Sequence, residues 1–441
     1  AKYNSDVCSM YPFVCAKKEM PIGHPEVFLG KDCDLERLDE LHVDAYWGFV
    51  RCKVIPNKTD LVGLLPSRYN GKLMFDLHDQ VGSWHTSELY LAMEHGYKVE
   101  CIYEVYQWER TKRTCGLFKD YVSFFLRQKI EAGGWVKMGW HDEDPPYAVQ
   151  KQLCEVVARS NGGIGCPRPE YVCKDGVLYA LSKDSLNCVW AKFAQRAMHK
   201  GTMLINGTSE YMKLKNDRKI AQETLSFRHI SANTYRAVFN YKAFSYAASS
   251  KYSNIYISAT VTAEARCILH RKMFDVGPEN LLYCDTDSLV FKCSKDTLDN
   301  YTSIGLGGWE DERKNCKITR FACIAPKTYV LETDEDINIV KAKGISKSSS
   351  DREKLTADSF RELLFSDLFY QSGVASIEIS GTNTYANSTD TSMSYGELMT
   401  VKENRKMKVV LGKRALLDYT EYRQYPDKLL RVNTVPYGFE G

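Results

Sequence analysis

Three aspartates stand where they could serve one reaction. Asp285 and Asp287 flank Thr286 in the run Tyr283-Cys284-Asp285-Thr286-Asp287-Ser288, and Asp6 lies in the short run that opens the sequence. Carboxylates delivered from separate segments can hold two divalent cations about 3.5–4 Å apart, the arrangement that steadies charge on the attacking and leaving oxygens of phosphoryl transfer. An Asp in a turn also has a plainer use, because its side chain caps its own backbone. A lone D-x-D in a loop is therefore turn chemistry unless its surroundings say otherwise.

The surroundings are strands. Leu281–Cys284 and Leu289–Cys293 are apolar runs on either side of Asp285–Ser288, the pattern of a hairpin whose turn carries the acids. Tyr3 to Pro12 reads as a strand-like run that delivers Asp6 to a loop. Alternation at Tyr46–Ile55 and again at Val99–Tyr106 predicts two more strands, bracketing a helix over Ser87–Met93 that stops at Gly96. Helical spacing predicts helices over Leu117–Ile130, ended by Gly133-Gly134, over Val177–Met198, and over Thr260–Met273, ended by Gly277-Pro278. Asp142-Glu143-Asp144-Pro145-Pro146 marks a sub-domain boundary, and the polar, strand-prone stretch Asn206–Ser250 reads as an insertion. Ser346–Ser350 reads as a linker before a helix near Ala357–Gln371, with the final hundred residues a separate small domain.

At 441 residues and 50.4 kDa, two or three sub-domains are expected. A net charge of +3 and a pI near 8.1 are too mild to argue for a polyanionic partner, so any nucleic-acid surface must be local. No run of eighteen apolar residues suggests a membrane span. Fifteen cysteines with no C-x-x-C pair point to reduced thiols in an intracellular compartment rather than disulfides or structural zinc. The sequons at Asn57, Asn206, Asn300 and Asn387 read as chance. Because Asp6 follows so closely on Ala1, the N-terminus is expected to be truncated.

Three signatures then occur in order: Asp6-Val7-Cys8-Ser9-Met10-Tyr11-Pro12; Lys183-Asp184-Ser185-Leu186-Asn187-Cys188-Val189-Trp190-Ala191; and Tyr283 to Ser288, followed by Lys327-Thr328-Tyr329. This set resembles the protein-primed family B DNA polymerases, of the organellar and viral type and most closely the Polinton, adintovirus and bidnavirus group. The first matches D-x-x-S-L-Y-P with Met for Leu, the third matches Y-x-D-T-D-S unchanged, and the second is similar to K-x-x-x-N-S-x-Y-G with Cys188, Trp190 and Ala191 substituted. The C-terminal run from Lys413-Arg414 to Thr434-Val435-Pro436-Tyr437-Gly438 is also similar, so the resemblance spans most of the chain.

The resemblance implies an α/β (α+β) right-hand polymerase, as the C-terminal polymerase portion of a longer family pattern: a palm of antiparallel strands from 1–107 (first motif) and 251–345 (third motif and K-x-Y), helical fingers at 174–200, a thumb at 346–441, and insertions at 108–173, of the terminal-protein-region type, and 201–250. It implies Asp6 and Asp287 as catalytic ligands of two Mg²⁺ ions, Mn²⁺ being an alternative, with the Val7 carbonyl in one metal shell and Asp285 in support. Ser9 and the amides of Met10 and Tyr11 would cradle the triphosphate of a dNTP, with Tyr11 beneath the sugar, where its bulk excludes a 2′-hydroxyl. Lys183 and Asn187 would face the nucleotide and Trp190 the nascent base pair. Lys327, Tyr329, Thr286 and Ser288 would contact the primer terminus. Implied partners are template and primer DNA, dNTPs and a terminal priming protein, with no membrane, in the nucleus or cytoplasm of a host cell during viral or mobile-element replication.

Two other readings share features. A two-metal nuclease uses similar carboxylates but calls for D-x-E pairs ahead of the palm; Asp34-Leu35-Glu36 comes after the first motif and reads as a helix surface. A catalytically inactive polymerase-like DNA-binding module fits the altered second motif, though all three acidic positions survive. A reverse transcriptase is disfavoured by Thr286 between the aspartates. Asp76, His78 and His85 read as structural groups rather than a metal site. Lys402, Arg405, Lys406, Lys408, Lys413 and Arg414 form a basic run that is either a solvated face or a phosphate-binding surface.

Overall fold

The acidic hairpin forms as its pattern dictates. In a computed structural model of the chain, strands Leu281–Asp285 and Ser288–Lys292 pair antiparallel, with Asp285 opposite Ser288 and only Thr286 and Asp287 in the turn. Thr286 takes φ 37°, the left-handed conformation tight hairpin turns favour. Strand Lys2–Val7 pairs with Ser288–Lys292 so that Asp6 faces Ser288, and on its other edge with Trp309–Asp311 so that Asp6 faces Glu310. The start of strand Ile318–Ala325 joins it at Lys2. The structure describes residues 2–140, 144–195, 200–231, 233–242, 253–294, 297–299, 303, 305–312, 316–335, 338–343, 353–370, 376–386, 398–410, 412–416 and 434–440.

The chain divides into two compact units, the first made of residues 1–194, 254–319 and 411–441. In it the Asp6 sheet is backed by an apolar core that includes Val7, Met10, Val14, Leu289 and Phe291 with Val261, Ala265 and Leu269 of helix Ile255–Val276. A second antiparallel sheet runs in the order Glu26–Leu29, Lys98–Gln107, Gly48–Ile55, Gln80–His85, with helix Thr86–Glu94 beside it and its own core around Val50, Cys52, Val54, Trp84 and Leu89. The expected strand, helix, strand order is present, but these strands form a sheet distinct from the one that carries Asp6.

The second unit comprises 195–253 and 320–410. The stretch read as an unassigned insertion holds strands Lys200–Asn206, Ile220–Ser231 and Thr234–Tyr241 in one sheet, with helix Thr208–Asn216 packed on it through Leu214. Strands Thr328–Thr333 and Asn338–Ala342 follow Ile318–Ala325, and helix Ala357–Tyr370 covers a core of Ile324, Val330, Phe360 and Leu363.

Several expectations change. The opening strand ends at Val7, and Pro12 lies in the first turn of helix Met10–Lys17, where its missing N–H is no loss. The helix from Lys119 stops at the glycine pair as expected: Gly134 leaves helical geometry with φ 69° and ψ 178°, and a second short helical stretch runs on to Lys137. A helix at Tyr147–Ser160 comes next, and the one expected over Val177–Met198 spans Gly176–Phe193. Asp34 to Glu36 is a turn in which the Glu36 amide donates to Asp34 Oδ1 at 2.9 Å, not a helix surface. Residues 411–441 group with the first unit rather than forming part of a separate terminal domain: the Leu77 amide donates to the Tyr437 carbonyl at 2.7 Å, and the Glu440 amide to Lys58 at 2.9 Å. The expected linker at Ser346–Ser350 lies outside the described residues. All fifteen cysteines are free, and no helix among the described residues is long and apolar enough to cross a membrane.

Candidate active site

Register, not proximity in sequence, brings the acids together. Asp287 immediately precedes the cross-strand partner of Asp6, and the Asp287 carbonyl accepts the Val7 amide at 2.8 Å, which pins the hairpin turn to the end of the opening strand. Within the turn, Thr286 Oγ1 donates to Asp285 Oδ1 at 3.0 Å, Ser288 Oγ donates to the Asp285 carbonyl at 3.2 Å, and the Asp287 amide also donates to that carbonyl. Asp285, Thr286 and Ser288 thus stiffen the turn that presents Asp287.

Asp6 is half-buried, and its Oδ1 is buried with no hydrogen-bond partner. Burial first, then the negative charges of Asp287, Glu312 and Glu310, push its carboxyl up to about 7 from 3.8, against the Val7 amide, which favours the ion. An orphaned carboxylate oxygen among like charges is what a cation would relieve, so the residues present fit a divalent metal. Asp6, Asp287 and the Val7 carbonyl are the groups that would hold it. Among the described residues no three His, Cys, Asp or Glu side chains form a metal cage.

Beyond Val7 the chain turns sharply. Ser9 takes φ 52° and ψ 53° ahead of helix Met10–Lys17, without capping it through its side chain, and its Oγ accepts from Lys129 Nζ at 3.1 Å. The Cys8 amide donates to Gly308 and the Gly307 amide to Cys8, both at 2.8 Å, which fixes this loop to the one before Trp309. Met10 buries its side chain in the core, and the first amides of the helix, including those of Met10 and Tyr11, have no partner within the helix itself.

Tyr11 stacks on Trp190, with ring centroids 4.7 Å apart and planes at 24°. Burial pushes the Tyr11 hydroxyl up, Asp287 and Asp285 add to this, and Arg266 opposes it. Lys183, Asn187 and Trp190 recur at i, i+4 and i+7 along helix Gly176–Phe193 and share one face; Lys183 and Asn187 are exposed, and Trp190 Nε1 is buried without a partner. That helix is capped by Asp175, whose Oδ1 accepts the Val177 and Leu178 amides at 2.9 Å. It packs on helix Lys119–Lys137, where the Tyr121 hydroxyl donates to the Ser185 carbonyl at 3.0 Å.

Lys327 and Tyr329 belong to the second unit. Lys327 is exposed at the tip between two strands with φ 60°, while Tyr329 is buried there, its ring 6.0 Å from that of Phe321. The basic run is divided: Lys406 pairs with Glu378 at 2.8 Å in the second unit, whereas Arg414, in the first, donates to Thr434 and to the Leu61 carbonyl at 3.0 Å and anchors the C-terminal segment. His78 Nδ1 lies 3.3 Å from Asp76 Oδ1, and buried His85 caps helix Thr86–Glu94. Lys129, Glu310, Glu312 and Arg266 escaped the sequence reading. Glu310-Asp311-Glu312 is visible as an acidic run; Lys129 and Arg266 carry no signal within their helices.

Residues 2–135 match the family model described as DNA polymerase type B, organellar and viral. A probable DNA polymerase of Podospora anserina is 28% identical over 371 residues, 82% of this chain and 27% of that protein. The DNA-directed DNA polymerase of Enterobacteria phage PRD1 is 34% identical over 96 residues, 22% of this chain and 16% of that protein. The chain thus spans about a quarter or less of these curated relatives' length in the matched regions. The Phi29 DNA polymerase, solved as a ternary complex with primer-template DNA and incoming nucleotide, superposes with a TM-score of 0.53 at 16% identity over 92% of this chain and 58% of that one, which shows a shared right-hand fold. With its motifs in order and the acids of the first and third on adjoining strands, the chain is similar to the type B DNA polymerases of the organellar and viral kind.

Proposed function

We propose that this chain is the nucleotidyl-transfer portion of a DNA-templated DNA polymerase that adds dNTPs to a primer 3′-hydroxyl in viral or mobile-element replication, with initiation on a terminal protein. The observation that carries this reading is Asp6 beside Asp287 with Asp6 Oδ1 buried and unpartnered. Two Mg²⁺ ions, or Mn²⁺, held by Asp6, Asp287 and the Val7 carbonyl would activate the attacking hydroxyl and neutralise charge on the leaving pyrophosphate.

The rest falls to the chain's own groups. Asp285, with Thr286 and Ser288, keeps the turn from shifting as substrate arrives. Lys129, held at Ser9, and the first amides of helix Met10–Lys17 provide donors for a triphosphate, joined by Lys183 and Asn187 on the exposed helix face. Tyr11, braced by Trp190, would lie under the deoxyribose and exclude a ribose by contact with its 2′-hydroxyl, and Trp190 would line the nascent base pair. Lys327 and Tyr329 are assigned to the primer terminus by their motif. In this reading the palm comprises 1–107 and 251–345, the fingers 174–200 and the thumb 346–441, with 108–173 and 201–250 as the segments that meet the terminal protein and DNA. The site of action is within a host cell, in the nucleus or cytoplasm.

The test is primer extension in Mg²⁺ with wild type and Asp287→Asn. Loss of a ligand oxygen should cut the rate about a thousandfold, the scale of several kcal/mol of transition-state stabilisation. Full activity in the variant would remove the catalytic assignment.

A further inference from the structure

The segment between Lys119–Lys137 and Gly176–Phe193 doubles back on the first of these helices. Glu131, buried, accepts from the Arg168 amide and Nε, both at 3.0 Å, and from Arg168 Nη2 at 3.2 Å. The Gly165 amide donates to Ser123 Oγ at 3.1 Å, and buried Ile164 shares a core with Leu126. The turn that follows helix Tyr147–Ser160 is thereby fixed to the helix that carries Lys129. It also meets the loop before Trp309. Asn161, 7% exposed, accepts the Leu306 amide on its Oδ1 at 2.9 Å. Gly305, with φ 96°, lies so near that a Cβ there would run into the Ser160 carbonyl oxygen. Asn161 itself has φ −86° and ψ 3°, a turn conformation compatible with most residues, so the backbone does not call for Asn. What needs its side chain is the buried Leu306 N–H, which costs free energy if left unpaired.

From Leu306 the connection runs to the metal-holding acids. The Gly307 amide donates to the Cys8 carbonyl and the Cys8 amide to the Gly308 carbonyl, each at 2.8 Å, and Trp309 and Glu310 pair across the strands with Val7 and Asp6. We infer that Asn161 is a positioning residue for the Val7–Ser9 turn: it holds Leu306–Gly308, which hold Cys8, and so fixes the Val7 carbonyl and the end of the Asp6 strand. Lys129, on the helix to which the Asn161 turn is fastened, grips the same turn at Ser9. Without Asn161 the Leu306–Gly308 loop loses its anchor, and the Val7 carbonyl and Asp6 are less firmly placed for a divalent cation. This inference rests on the nucleotidyl-transfer reading above.

The test combines Mg²⁺ titrations followed by thermal melting with Mg²⁺ titrations of primer extension. Asn161→Ala should raise the Mg²⁺ concentration at the midpoint of both about tenfold, the scale of one buried hydrogen bond, with kcat at saturating Mg²⁺ within about threefold and primer-template affinity unchanged. Asn161→Asp keeps Oδ1 as an acceptor and should return both midpoints to within about twofold of wild type. A lower melting temperature with unmoved Mg²⁺ midpoints would reduce Asn161 to scaffolding and overturn the inference, as would an Asn161→Asp variant as impaired as Asn161→Ala. If Asn161→Ala does not fold, amide hydrogen exchange of the wild type decides. Mg²⁺ should then slow exchange at 7–9, 305–308 and 160–164 together, because coupling between linked segments is mutual. Protection confined to 7–9 and 307–308 would overturn the link through Asn161. A wild-type chain that extends no primer defeats the parent reading itself, whereas an active wild type with an unaffected Asn161→Ala defeats this inference alone.

Discussion

Replacing Asp6 with Asn should stabilise the metal-free protein while destroying its chemistry. Asp6 is an acid held where its ion is unwelcome: burial and the charges of Asp287, Glu312 and Glu310 lift it from 3.8 to about 7. A group whose folded value lies above its unfolded value binds more protons when folded, so at pH 8, where both states have lost the proton, its ion is a net cost to folding. The distance from 3.8 to about 7, at about 1.4 kcal/mol per tenfold in proton affinity, sets a ceiling of about 4 kcal/mol. The side chain is only half-buried, and solvent screening brings the expected gain to roughly 1–2 kcal/mol. Asn keeps the shape and removes the repulsion. In EDTA at pH 8, Asp6→Asn should therefore melt a few degrees above wild type. Mg²⁺ should then raise the wild-type melting temperature, by about 1.4 kcal/mol of stability at ten times its dissociation constant, and leave the variant nearly unmoved. A variant that melts at or below wild type in EDTA would refute the repulsion argument, and equal stabilisation of both proteins by Mg²⁺ would refute Asp6 as the group that holds the ion.

Two further outcomes follow from backbone and burial. Gly307 takes φ 79°, and a Cβ there would sit 2.3 Å from the Phe13 ring, so Gly307→Ala should cost roughly 2–4 kcal/mol in urea unfolding; a cost under about 0.5 kcal/mol would mean the loop beside Cys8 is not held as described. Burial pushes His85 down to about 4 and His270 to about 3, so the folded state refuses protons that the unfolded chain accepts near 6.5. Stability from these groups is complete above that value and is lost as pH falls below it, at up to about 1.4 kcal/mol per pH unit for each histidine. Urea midpoints between pH 7.5 and 5 should show this slope, and His270→Leu should flatten it; an unchanged slope would exclude His270 as a source.

Much of the site was legible because local chemistry wrote it. Apolar runs around an acidic turn can close only as a hairpin that presents Asp285 and Asp287, and the i, i+4, i+7 spacing of Lys183, Asn187 and Trp190 places them on one helix face wherever that helix lies. Local signals were misread where another force prevailed. Pro12 suggested a chain break, but a proline in a first helical turn gives up no hydrogen bond. The sequence by itself determined that Asp6 lies on a strand, that Asp285 and Asp287 sit at a hairpin turn and that Lys183, Asn187 and Trp190 share one helix face. Tertiary structure alone decided their company, because cross-strand register and helix packing are set by contacts between residues far apart in sequence: Asp6 between Ser288 and Glu310, Lys129 at Ser9, and Glu88 clasping Arg266.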